Sequence, residues 1–188
     1  TRLCQILNEQ YNKKFEIIGL DNNFYEFKKK IEKKLIKKDI RNIKIHDLKN
    51  IDVVIHLASL SNDPLGELDK NLTRQINHRA TINLAKLSKK SGVKRFIFIS
   101  TQSVYGISNY KNKTIKEYDK NINPITQYAK SKLRAEKEIL KLADKQFCIV
   151  ILRPSTVHGP SENFRSDIVL NNLSAAAFTR NKIIINTN

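Results

Sequence analysis

The sequence reads as an α/β chain built on a doubly wound parallel sheet, and three observations lead there. Short, nearly continuous apolar runs recur along it, as in Val53-Val54-Ile55-His56-Leu57 and Phe147-Cys148-Ile149-Val150-Ile151-Leu152. Such runs fit strands buried on both faces, where no polar alternation is needed. Between them, Ile76, Ala80, Leu84 and Leu87 recur every three or four positions, the period of an amphipathic helix. Each conspicuous polar cluster also lies just after a strand run: Asp21, Ser59 to Asp63, Ser100 to Ser103, and Ser155 to Ser161. Strands alternating with helices imply right-handed crossovers and a sheet covered on both faces, whose ligands bind beyond the carboxyl ends of the strands.

Taken in order, residues 2 to 11 suit a short helix and Phe15 to Leu20 a buried strand. Helix is expected again from about 24 to 37, then a short strand at 43 to 46 and a stronger one at 53 to 57. The helix of Ile76 to Leu87 is terminated by Ser91-Gly92. Strand 95 to 100, helix 126 to 143 and strand 147 to 152 follow, with no internal repeat, low-complexity linker or Pro/Gly-rich boundary.

At 188 residues and 40% apolar composition the chain can build one ordinary core. Its longest purely apolar run, Phe147 to Leu152, is far shorter than the roughly 20 residues of a membrane helix. Thr1-Arg2-Leu3-Cys4 lacks the charged start and apolar stretch of a secretory signal. Cys4 and Cys148 show no CxxC or metal-ligand spacing, which reads as reduced, partly buried thiols of a cytoplasmic protein, with Cys148 in the core. His46, His56, His78 and His158 are likewise assigned to structure, and no metal site is expected.

A net charge of +17 raises the question of nucleic acid. The lysines are spread along the chain, however, and the densest cluster, Lys28 to Lys38, sets Phe27, Ile31 and Leu35 at helical spacing. It reads as the solvated face of an amphipathic helix, which argues against a nucleic-acid partner. An anionic substrate would still be favoured by the positive field.

The candidate chemistry lies in Thr101, Tyr128 and Lys132. Phe96-Ile97-Phe98-Ile99 delivers Ser100-Thr101-Gln102-Ser103-Val104-Tyr105-Gly106, and Tyr128-Ala129-Lys130-Ser131-Lys132 opens a helical pattern after the turn-forming Asn123-Pro124. On a helix Tyr128 and Lys132 are i and i+4, neighbours on one face. Tyr25 and Lys29 have the same spacing, and one accidental match is expected among 6 tyrosines and 35 Lys plus Arg, but no strand-borne hydroxyl precedes them. Tyrosine, with an ordinary pKa of about 10, is a poor base at neutral pH; a nearby ammonium favours the phenolate. The pattern points to proton transfer beside a redox cofactor.

With these residues, the stretches Ile17-Ile18-Gly19-Leu20-Asp21-Asn22, Val53 to Ala58, Ile76-Asn77, Leu152-Arg153-Pro154 and Val157-His158-Gly159-Pro160 carry a family resemblance. The chain resembles, over nearly its whole length, an extended short-chain dehydrogenase/reductase of the NAD-dependent epimerase/dehydratase type acting on nucleotide sugars. The resemblance implies a Rossmann-like fold, with residues 1–154 as the NAD-binding domain and 155–188 as the start of the substrate-binding portion. The family's first strand and glycine-rich phosphate loop have no counterpart; residues 2 to 11 resemble the helix which that loop caps. The chain is therefore expected to be a piece of a longer protein.

In the mechanism so implied, Tyr128 removes a proton from a sugar hydroxyl while hydride moves to NAD. Thr101 hydrogen-bonds the developing oxyanion, and Lys132 holds the nicotinamide ribose and tunes Tyr128. Asp21 matches the acceptor of adenosine ribose hydroxyls, although an Asp-Asn-Asn turn is the plain alternative. A carboxylate there repels a 2′-phosphate, favouring NAD over NADP. Asp39 and Ile40 resemble the adenine contact, or form a surface turn; Leu57, Ala58 and Ser59 would line the pyrophosphate and ribose. Asn77 matches an asparagine near the active site, with helix packing equally open.

Gln102 and Ser103 stand where family dehydratases place an Asp-Glu pair, which argues against 4,6-dehydration and for epimerisation or reduction. Gln102, Thr156 and Asn172 are the remaining implied substrate contacts. Thr156 replaces an asparagine of many relatives, and Asn171-Asn172-Leu173 resembles a helix start near the nucleotide diphosphate, or a helix cap. The resemblance also allows a homodimer through helices 71 to 91 and 126 to 143. A non-catalytic Rossmann-like sensor or nucleic-acid-associated protein is the competing reading, though it needs no proton relay.

Overall fold

Strand pairing is parallel throughout the described residues, as apolar runs joined by helical crossovers require. The computed structural model describes residues 2–11, 14–24, 35–61, 63–106, 114–119, 122–160 and 165–185. They fall into two compact units, one within 19–24 and 35–154, the other within 2–18 and 155–185.

In the larger unit, β1 (Gly19–Asp21) pairs with β2 (Leu35–Lys37). A second sheet has the order β3-β4-β5, formed by β3 (Val53–His56), β4 (Arg95–Ile99) and β5 (Cys148–Leu152). The register sets Val54, Phe96 and Ile149 level, then His56, Phe98 and Ile151. Partners in parallel strands point the same way, so these six share one face. Phe96 and Phe98 are fully buried on it, each worth about 1.5–3 kcal/mol of apolar burial. Helices cover that face. One runs as α3 (Lys70–Arg74), a π-helical turn at Gln75–Ala80 and α4 (Thr81–Lys90); the other is α5 (Gln127–Ile139). Ala80, Leu84, Ala85, Ala135 and Ile139 join Phe96, Phe98 and Phe147 in the core.

His56 lies within this apolar face, its Nε2 2.8 Å from Thr81 Oγ1 and its ring stacked 5.6 Å from that of Phe98. Burial pushes its pKa down to about 3, so it is a neutral packing group with one polar partner. Helix α4 stops where expected: Gly92 takes φ +82, and Val93 N–H returns to Ser88 C=O at 3.1 Å.

Four expectations need correction. The first strand is confined to Gly19–Asp21, because Phe15 and Glu16 are exposed and only the end of that run meets β2. Of the helix expected at 24 to 37, residues 25–34 lie outside the described residues, while Leu35–Lys37 is strand, drawn into pairing with β1. The strand expected at 43 to 46 is replaced by two 3₁₀ turns, Ile40–Asn42 and Ile45–Leu48. Asp39 accepts from Arg41 N–H at 2.8 Å and Asp47 from Lys44 N–H at 2.7 Å, local bonds that outcompete a ladder. Cys148 is exposed rather than core. Along β5, Ile149 and Ile151 face the helices, so the two-residue period turns Cys148, Val150 and Leu152 to the opposite face, where Val53 and Ile55 are exposed too.

The smaller unit contains α1 (Arg2–Tyr11), as expected for residues 2 to 11, and α6 (Val169–Arg180).

Just past β4, Gly106 adopts φ 64°, ψ −151°, a region open essentially to glycine alone. A Cβ there would lie 1.7 Å from Asn123 O. The parallel bridge between Gly106 and Asn123, with Asn123 N–H donating to Tyr105 C=O at 3.2 Å, closes the intervening segment at its base. Gly106→Ala should therefore lower stability by more than about 1 kcal/mol, read as a lower urea midpoint at unchanged slope; an unmoved midpoint would contradict the steric argument.

Candidate active site

The carboxyl end of β4 carries Ser100 and Thr101. Ser100 N–H bonds Leu152 C=O at 2.7 Å and Gln102 N–H bonds Pro154 C=O at 3.1 Å, so pairing with β5 fixes this backbone beyond the strand. Thr101 is buried, and its Oγ1 accepts from Ser103 N–H at 3.1 Å while donating to Ser103 Oγ at 3.2 Å. The threonine thereby caps the 3₁₀ turn Gln102–Tyr105 and holds its own hydroxyl in place. Gln102 itself is exposed.

The start of α5 is set by two caps. Thr126 Oγ1 accepts from Ala129 N–H at 3.2 Å, and Gln127 N–H donates at 2.6 Å to Glu67 of α2 (Asp63–Leu68). Gly66 of α2 packs beside Tyr128, close enough that an added Cβ would lie 3.6 Å from the tyrosine Cβ. Tyr128 is half-buried and Lys132 is 2% exposed.

Lys132 Nζ donates to Ile99 C=O at 2.8 Å, over the Phe98 ring at 4.7 Å and 5.9 Å from the Tyr128 ring centroid. Burial pushes its pKa down to about 7, against the opposing pull of Glu136. One of its three ammonium protons is thus committed to the strand end; the other two have no partner among the described residues. A buried ammonium with protons to give, beside a tyrosine at a strand end, can hold the hydroxyls of a cofactor ribose.

Asp21 ends β1, with Oδ1 accepting from Asn23 N–H at 2.7 Å, so the turn geometry is present. Asp39 engages the Arg41 guanidinium at 3.0 and 2.7 Å, and that bond holds its carboxyl below the usual range; Ile40 is buried in the core. Leu57 and Ala58 are exposed after β3, and Ser59 is half-buried. Asn77, fully buried on the π-helical turn, accepts from Leu60 N–H at 2.8 Å and Ser59 Oγ at 3.2 Å and donates to Leu60 C=O at 3.0 Å. Its amide fastens the loop that follows β3.

The structure thus gathers Thr101, Tyr128 and Lys132 about the end of β4, and joins Asn77 to the 57–60 loop. Thr156 and Asn172 belong to the smaller unit. Thr156 is exposed, and Asn172 Nδ2 donates to Ser166 C=O at 3.2 Å. Helix α6 begins at Val169 after Ile168, so neither Asn171 nor Asn172 occupies the N-cap. Asn171 instead accepts from Gly159 N–H at 3.1 Å and donates to Arg165 C=O at 3.0 Å. Tyr25 and Lys29 lie outside the described residues, as do residues 28–34 of the lysine cluster.

Sequence reasoning passed over Glu67, Ser100, Glu136 and the side chain of Arg153. Buried Glu136 accepts a short hydrogen bond from Ser100 Oγ and a 2.6 Å bond from Arg153 Nη2. The available signal was Glu136 four residues after Lys132, on a face otherwise reserved for small and apolar side chains. Among the described residues no three His, Cys, Asp or Glu gather as a metal set, and no helix is long and apolar enough to cross a membrane.

Lys132 binds its proton less tightly in the folded chain than when unfolded. Between about 7 and its ordinary 10.5 the unfolded state holds more protons, so stability from this group rises with pH; below that window the burial penalty is full. Lys132→Met removes the penalty. Its stability gain over wild type should be largest near pH ~6 and fade toward pH ~10 in urea unfolding, whereas equal differences at the two pH values would refute the shift.

Comparison with known proteins matches this geometry to a family. The model of the NAD dependent epimerase/dehydratase family matches residues 1–187. UDP-glucose 4-epimerase of Vibrio cholerae is 41% identical over 124 residues, 63% of this chain and 38% of that protein. dTDP-D-glucose 4,6-dehydratase of Mus musculus is 30% identical over 121 residues, 63% of this chain and 33% of its own length. A solved structure, UDP-glucuronic acid 4-epimerase from Bacillus cereus in complex with UDP-glucuronic acid and NAD, superposes with TM-score 0.74 at 27% identity, covering 94% of this chain and 59% of that one. The chain therefore spans about a third to three-fifths of the length of these relatives. The match of the family model over residues 1–187, on a parallel sheet whose strand-end carbonyl, Ile99, holds Lys132, makes the chain a member of the NAD-dependent epimerase/dehydratase family.

Proposed function

We propose that the protein, at its full natural length, is an NAD-dependent nucleotide-sugar epimerase, or a related sugar-nucleotide oxidoreductase, with Tyr128 as its base. The observation that carries this is the Lys132 ammonium, held by Ile99 C=O beside the Tyr128 ring. A sensor that uses only the fold gives no reason to bury that charge.

NAD, when bound, supplies the acceptor for the sugar's hydride. Asp21, the 57–60 loop and the free protons of Lys132 are the groups proposed to hold it. Tyr128 accepts the proton of a sugar hydroxyl, and the adjacent ammonium lowers the energy of the phenolate needed for that step. Thr101 Oγ1, which already donates to Ser103 Oγ, can redirect that bond to the oxygen on which charge develops. For epimerisation the keto sugar turns over and takes the hydride back on its opposite face, while Tyr128 returns the proton to the former carbonyl oxygen, giving the hydroxyl of inverted configuration. Thr156 and Asn172 are proposed sugar-nucleotide contacts from the 155–188 portion, and residues 1–154 the cofactor portion.

Gln102 and Ser103 favour epimerisation over dehydration because neither offers an ionisable acid or base after Thr101. The similarity to a 4,6-dehydratase makes dehydration the second reading. The two separate by product: epimerisation conserves the mass of the nucleotide sugar, and dehydration loses one water. With the full-length protein, NAD and a panel of nucleotide sugars, Tyr128→Phe should reduce turnover by about 10²-fold or more while NAD affinity stays within a few-fold. Undiminished turnover would remove Tyr128 from the base role.

A further inference from the structure

Outside the residues assigned above, the most unusual group is a carboxylate sealed into the back of the site. Glu136 is 2% exposed, one turn along α5 from Lys132 and two from Tyr128. Its Oε1 accepts from Ser100 Oγ, the residue immediately before Thr101. Arg153, at the end of β5, grips both oxygens, with Nε at 3.1 and 3.2 Å and Nη2 at 2.6 Å. The same guanidinium donates from Nη1 to Tyr105 Oη at 3.2 Å and to Glu117 C=O at 3.1 Å, and its carbon lies 5.1 Å from the Tyr105 ring centroid.

One buried carboxylate therefore ties together the helix that carries Tyr128 and Lys132, the strand end that carries Thr101, the end of β5, and the 102–106 turn. A core needs none of this: an apolar side chain at 136 would pack without the desolvation penalty of an ion pair.

We infer that Glu136 is a positioning residue of the proton-transfer site, clamping the Tyr128–Lys132 face of α5 to the Thr101 strand end through Ser100 and Arg153 and supplying a buried negative charge to Lys132. The charges facing Lys132 are few: Tyr128 and Glu136 on its own helix, neutral His56 on β3, and Arg153 from β5, already bound to Glu136. From β4 come only the Ile99 carbonyl and the Phe98 ring. No carboxylate oxygen lies within ion-pair distance of Lys132 among the described residues, so Glu136 acts on it across the helix turn. Its charge opposes the desolvation that would strip the Lys132 proton. The inference rests on the proposed reaction for its catalytic consequence alone; the clamp stands on the bonds of Glu136 with Ser100 and Arg153, and the charge coupling is what the titration measures.

The test is the titration of Lys132, followed by NMR in protein labelled with ¹³C at lysine Cε and assigned by the signal lost in Lys132→Met. Glu136→Gln keeps the shape and removes the charge; it should lower the Lys132 midpoint by about one unit and cut kcat by about tenfold near pH ~8. Glu136→Asp, which retains the charge, should leave the midpoint within ~0.3 unit of wild type even where it destabilises the fold. Should Gln alone fail to fold, Glu136→Gln is made in the Arg153→Met background and read against Arg153→Met alone, so that the Arg153 charge is absent from both and the difference reports Glu136. A purely structural Glu136 predicts an unmoved midpoint in the Gln variants, and that result overturns the inference. If wild-type protein turns over no nucleotide sugar, the reaction proposal fails while the titration still decides this one.

Discussion

Everything at this site depends on a helix burying charge against a sheet. The inner face of α5 presents Ser131, Lys132 and Glu136 to the interior alongside Ala129, Ala135 and Ile139, and each buried polar group has a specific acceptor or donor. Lys132 is met by the last carbonyl of β4, Glu136 by Ser100 and Arg153, and Ser131 by the Tyr128 carbonyl. An unmet charge in that setting is strongly destabilising, so the partners fix the axial position and rotation of the helix to within hydrogen-bond tolerance. Apolar packing tolerates more sliding, which is why the polar contacts, and not the core, dictate where Tyr128 sits.

The parallel sheet prepares those partners. Level pairing of Arg95 to Ile99 with Cys148 to Leu152 continues past both strands through the Ser100–Leu152 and Gln102–Pro154 bonds. Thr101 and Arg153 thereby emerge from adjacent strand ends. Behind them, the buried Phe98 ring is the apolar floor on which the Lys132 ammonium rests, and neutral His56 adds no competing charge. The π-helical turn makes a parallel provision on the far side of β4, where it directs Asn77 at the loop after β3.

What the sequence made legible follows from the range of the forces involved. β3, β4 and β5 announced themselves through apolar runs, and α5 through its period, because burial acts residue by residue on a fixed geometry. The placing of Tyr128 and Lys132 one turn apart on a helix was visible for the same reason, both being anchored to a recognisable element. β2 was not: Leu35–Lys37 follows a lysine-rich stretch of helical period, and only the edge of β1 makes it strand. Asp39 and Asp47 turned residues 40–48 into 3₁₀ turns by bonding their own backbone, a competition invisible to an apolar count. Cys148 was misplaced because a continuous run hides which face each residue takes. The Glu136–Arg153 pair spans 17 residues, so the position of Glu136 on the inner face of α5 hints at burial while its partner stays hidden from local patterning.

The Gly106–Asn123 bridge has an architectural consequence. With both ends of the intervening segment pinned to each other, the entropy of closing it grows only slowly with its length, by about 0.6 kcal/mol for each doubling. Residues can therefore be inserted or removed between 106 and 123 with little strain transmitted to Thr101 on one side or Tyr128 on the other. The fold thus holds Thr101 and Tyr128 on a fixed frame whose spacing does not depend on the length of chain between the bridged residues, a division that lets the surroundings diversify while the frame keeps its geometry.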